Sequence, residues 1–221
     1  LGAWFTRGWF VNLAAGTLLG ALTLGLAVLI AYLAGGLRFQ VHISADVSST
    51  ISSLLFSITV LFIAAAFEEA LFRGYILQTF ARSGLAWFAI ILTAIFFAAV
   101  HTANPNMGVI STINTAIAGI WFGVAYLRTR DLWFVTGLHF MWNWMQGAFF
   151  GIEISGLNDL VAAPLMREID AGPAWLTGDT YGLEGGIAAT VALIASTALI
   201  LFLKWPKADP ELMAMTSPPV S

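Results

Sequence analysis

The sequence predicts an all-α fold: a polytopic integral membrane helix bundle of about six transmembrane helices. Three observations lead there. Of the 221 residues, 59% are hydrophobic and only 10% are charged, against about a quarter charged in a soluble domain. Mean hydropathy is +0.87. The apolar residues gather into long runs that meet or approach the ~20 residues a helix needs to cross a ~30 Å hydrocarbon core. The runs are continuous rather than alternating, which excludes a membrane β-barrel.

The runs are Trp9–Leu33, Ile51–Phe72, Trp87–His101, Val109–Leu127, Leu132–Phe150 and Gly185–Leu203. The first contains TLLGALTLGL, whose small residues suit close helix packing, either within the bundle or against a partner helix. The third is short and is expected to extend at both ends. Between the last two lies an acidic loop, residues 151–184, with Glu153, Asp159, Glu168, Asp170, Asp179 and Glu184 against Arg167. Loops this long are usually functional, so loop 151–184 and the outer helices are candidate surfaces for a membrane-protein partner. Within it, 157–169 reads as a short surface helix or a solvated linker. The chain divides into one membrane domain, 1–205, with its motif core at about 51–150, and a tail, 206–221, expected to be disordered.

Basic residues set the expected orientation. Arg7, Arg82, Arg128, Arg130, Lys204 and Lys207 fall on one side if the runs alternate in direction, against Arg38 and Arg167 on the other. Both termini are then cytoplasmic. Trp9, Trp87, Trp133 and Trp205 fall at the same interface, as an aromatic belt would. The net charge of −3 and the absence of a Lys/Arg-rich run give no footprint for nucleic acid. Without cysteine there are no disulfides and no thiolate metal sites.

Ionisable residues within spans are costly and by default mark function. Here they are Glu68, Glu69, Arg73, His101 and His139, joined by the neutral polar Asn104, Asn114, Asn143 and Gln146. FEEALFRG, residues 67–74, carries three of them. Positions four apart share a helix face, whereas neighbours diverge. Glu69 can therefore pair with Arg73, which leaves Glu68 facing elsewhere and free for base chemistry. His139 and Asn143 are also four apart. If the second and third spans form a hairpin turning near Ser83-Gly84, with the second helix running on to about Arg82, Glu68 and His101 lie each roughly 24 Å from the turn. His139 and Asn143 can reach the same layer. A lone buried histidine is usually a packing residue; two of them with an unpaired glutamate make a candidate site. His42, in a loop, is given no role.

EEALFR, FAAVH and HFMWN, in this order and on three separate predicted spans, resemble the EExxxR, FxxxH and HxxxN motifs of the CAAX-protease and bacteriocin-processing membrane peptidases. The resemblance covers about Phe67 to Asn143. It implies an intramembrane endopeptidase in which Glu68 activates the attacking water and His101 helps to hold it. His139 and Asn143 would polarise the carbonyl, with Glu69, Arg73 and Asn104 in support. The implied substrates are membrane-associated or lipidated (prenylated, CAAX-type) peptides, and the implied location is a bacterial inner membrane. Glu68, His101 and His139 also match the ligand count of a zinc site with an open position, so one divalent metal is the candidate cofactor. No HExxH helix and no GxSxG elbow is present. The rival readings are a catalytically silent scaffold of the same fold and a proton-coupled transporter. Against the latter, the sequence has no repeat and no paired broken spans.

Overall fold

The computed structural model describes residues 3, 5–42, 47–157, 160–202 and 207–217. It is a helix bundle: α1 (Trp9–Leu33), α2 (Val47–Arg82), α3 (Ala86–His101), α4 (Val109–Thr129), α5 (Leu132–Trp144) and α6 (Ile187–Phe202). α1, α2 and α4 are long and apolar enough to cross a membrane by length and composition alone, while α3 and α6 are shorter apolar helices. The helix bounds fall within a few residues of those expected. The second is the exception: it begins earlier and continues to Arg82. Between Ala70 and Leu77 it is π-helical, and a π-helical turn, Met145–Phe149, likewise prolongs α5. Lys204 and Trp205, expected at the basic interface, and Asp159 of the acidic loop lie outside the described residues.

The helix surfaces are apolar where they face outward. Phe10, Leu18 and Leu22 of α1, Phe56 and Ile63 of α2, and Trp87, Ile91 and Ile95 of α3 are all exposed. A soluble monomer does not carry so wide an apolar surface; a lipid-facing one requires it.

The interior is built around a close pairing of α1 and α5. A Cβ on Gly16 would run into the Phe134 carbonyl, one on Gly20 into that of Leu138, and one on Gly137 into that of Leu13. Contacts advancing together along both chains mean that the two helices run parallel, as first and fifth spans of alternating direction must. Gly20 thus packs within the bundle, while a Cβ on Gly25 would meet nothing within 4 Å. At the start of α5, Asp131 accepts from the Trp133 amide at 2.8 Å and from Asn12 of α1 at 2.5 Å, so a helix cap doubles as an interhelix tie. Gly16→Val is expected to lower stability by about 1–3 kcal/mol, because backbone cannot yield as a side chain does. Thermal melting in detergent, with Gly25→Ala as the unaffected comparison, checks this.

Of the two readings of 157–169, the surface helix is not formed among the described residues. There the chain runs irregularly to β2 (Met166–Asp170), which pairs antiparallel with β1 (Leu37–Val41), Phe39 facing Glu168 in register. Pro164 opposes a helix at this point, and the ladder satisfies the strand's backbone groups instead. His42, given no role, continues the pairing through its amide to the Leu165 carbonyl at 2.9 Å. In the stretch from 206 onward, α7 (Pro210–Thr216) forms a short helix capped by Asp209, with Leu212 buried, where disorder was expected. The Asp-Pro-Glu opening supplies an N-cap, a proline at the first helical position and an acid in the first turn.

Burial, and a hydrogen bond shared with the Glu153 carboxyl, push Glu168 from the ordinary 4.5 up to about 9, with Asp170 and Asp179 adding in the same direction. The folded state therefore holds a proton here that the unfolded chain releases above the ordinary value. This stability is complete below the ordinary value and is lost as pH rises toward 9. The melting temperature of the wild type is expected to fall over that window, and that of Glu168→Gln to fall less.

Candidate active site

Glu68, Glu69 and Arg73 lie on α2, at and within the start of its π-helical stretch. π-helical segments recur at functional sites because they re-aim side chains that an α-helix would hold on one face. Arg73 Nη1 donates to Glu69 Oε1 at 3.0 Å, and both residues are fully buried. Arg73 Nη2 donates to the Gly119 carbonyl of α4 at 3.1 Å. The guanidinium lies 4.7 Å from the Phe97 ring centre and 5.0 Å from that of Phe122, close enough for cation–π attraction.

The same Glu69 oxygen takes a second hydrogen bond, from His139 Nδ1 at 2.9 Å. This links α2 to α5 and fixes the imidazole, whose face stacks on Phe122 at 4.6 Å. A carboxylate only accepts, so Nδ1 carries the proton and Nε2 is the nitrogen left for other work. His101 is set in the same manner by its own helix. Its Nδ1 lies 2.7 Å from the Phe97 carbonyl, which also only accepts, so Nε2 of a neutral ring is the unprotonated nitrogen.

Glu68, His101, His139 and Asn143 all line one cavity of about 310 Å³ between α2, α3, α4 and α5. Glu68 Oε2 is buried there with no hydrogen-bond partner. Glu69 and Arg73 do not line it; they stand behind it. Asn104 lines it and donates to the Ser155 carbonyl at 3.1 Å. Two other polar residues are structural ties. Asn114 donates to the Glu184 and Gly186 carbonyls at 2.8 and 2.9 Å. Gln146 donates to the Glu153 carbonyl at 2.5 Å.

Glu68, His101 and His139, the set expected for a metal, line the same cavity. Among the described residues no group of three His, Asp or Glu side chains is placed to hold an ion, while the Nδ1–H of His139 on Glu69 leaves its Nε2 as the nitrogen that could face one.

A carboxylate that the sequence reading left in the acidic loop also lines the cavity. Glu184 accepts from Trp142 Nε1 at 3.0 Å and from Ser155 Oγ at 2.6 Å. The available signal was its place two residues before Gly186, where the loop folds back onto the bundle at the start of α6.

Fold and site define an integral membrane protein with a polar, carboxylate-bearing chamber inside its helices. Residues 50–145 match the family model for type II CAAX prenyl endopeptidase, Rce1-like, and this stretch, from α2 through α5 with all three motifs, is similar to the CAAX-protease family. At the level of the family, that similarity supports a CAAX-type membrane protease. No curated protein and no solved structure matches it.

Proposed function

We propose that this protein is an intramembrane endopeptidase that hydrolyses a peptide bond with a water activated by Glu68. The observation that carries the reading is the unpartnered Oε2 of Glu68, buried in a cavity that His101, His139 and Asn143 also line. A buried carboxylate oxygen without a donor costs free energy that a bound water's O–H would recover. The water's oxygen attacks the scissile carbonyl carbon while its proton passes to Glu68. His101 Nε2 accepts from the same water. The oxyanion that forms takes hydrogen bonds from Asn143 and from His139 Nε2. Collapse breaks the C–N bond, and the proton held by Glu68 goes to the leaving amine.

This assignment sets the charge state of the centre. With Nδ1–H given to Glu69, Nε2 donates only from the imidazolium. Glu68 and Glu69 then balance Arg73 and His139, so the buried group is neutral as a whole, which favours its burial. In this reading the termini are cytoplasmic, which the basic residues at the helix ends support, and the membrane is a bacterial inner membrane.

The test is a comparison of new protein termini in membranes containing the wild type or Glu68→Gln at matched abundance. Termini lost in the variant identify the substrates. Indistinguishable termini, with the variant folded, would make the protein a scaffold.

A further inference from the structure

We propose that Glu184 is a specificity-determining residue, which seats a lysine or arginine side chain of the substrate close to the scissile bond. This rests on the peptidase reading above and deepens it. The cavity lining contains two carboxylates, Glu68 and Glu184, and no lysine or arginine. Arg73, which does not line the cavity, is committed to Glu69 and the Gly119 carbonyl, and His139 to Glu69 through Nδ1.

Glu184 is built to be a rigid anion. Its carbonyl is held by Asn114, which also holds that of Gly186 and is itself fixed by a 2.6 Å hydrogen bond from Thr190 Oγ1. Its two carboxylate oxygens each receive one neutral donor, from Trp142 and from Ser155. Neutral donors orient a charge without cancelling it, and among the described residues no ion pair includes Glu184. A substrate cation would complete it.

The experiment uses the full chain in detergent or nanodiscs and a peptide spanning a cleavage site found by terminus mapping. Each position flanking the cut is varied among lysine, glutamine and glutamate. At one position lysine is expected to raise kcat/KM about tenfold over glutamine, the effect of a well-placed desolvated charge pair, and glutamate to lower it. Glu184→Gln should shrink that lysine-to-glutamine ratio to near unity. Ser155→Ala and Trp142→Phe, which remove a donor but keep the charge, should retain it. A merely structural Glu184 would leave the ratio intact in every variant. No lysine preference at any position, or a preference surviving in Glu184→Gln, would overturn the proposal while peptide cleavage itself stood. A wild type that cuts none of the peptides would overturn the peptidase reading and this proposal with it.

Discussion

Glu68→Gln is expected to lower kcat for peptide hydrolysis by about 10²–10⁴-fold, the contribution of a positioned general base, with little change in KM. Glutamine keeps the shape and one acceptor but cannot take the proton from water. The fold should survive. Glu68 Oε2 has no hydrogen-bond partner, so no protein donor is orphaned when an amide replaces it, and the lower cost of burying a neutral side chain offsets the loss of one negative charge from the balanced group. A melting temperature close to that of the wild type, with activity lost, is the expected pair of results. Full activity in the variant would remove Glu68 from the mechanism.

The second large effect concerns stability as well as activity. Glu69→Ala leaves Arg73 fully buried with no counter-ion and takes the anchor from His139 Nδ1. Removing one member of a buried ion pair costs about 3–5 kcal/mol, enough to threaten folding of a marginally stable protein. Arg73→Ala should be nearly as damaging, for the mirror reason. The combination Glu69→Leu with Arg73→Met replaces charge by apolar volume and is expected to regain most of the lost stability. Activity should stay low, because His139 still lacks its partner. Melting curves and hydrolysis rates on the same samples separate the two effects. Recovery of both together would assign Glu69 to structure alone.

Much of this was legible in the sequence, because lipid imposes a simple rule on long apolar runs. The helices read from Trp9, Val109 and Leu132 begin at the residues expected. Glu69 pairs with Arg73 as helix spacing requires, and Glu68 and His101, which the depth argument puts equally far from the turn, line one cavity. What escaped has physical reasons. The π-helical stretch from Ala70 to Leu77 has no periodicity of its own in so short a segment. LRFQV and MREID pair although they are far apart in the chain, with no turn signal joining them. Glu184 carries the same composition as its exposed acidic neighbours, and only the Asn114 clamp brings it inward. The second role of Glu69, as the anchor of His139, needs α2 and α5 side by side, which no local pattern states.

The Glu69–Arg73 pair lies within a single helix, and this bears on how the chain enters the membrane. α2 is made before α5, so His139 is absent when the segment first meets the bilayer. Two separate charges at mid-membrane would cost about 2.5–3.5 kcal/mol each on insertion scales. A carboxylate and guanidinium already joined at 3.0 Å enter as one internally neutralised unit. That leaves Glu68 as the one isolated acid of the motif. The helix can thus be inserted early and wait, and the arrival of α5 completes the centre by bringing in the imidazole.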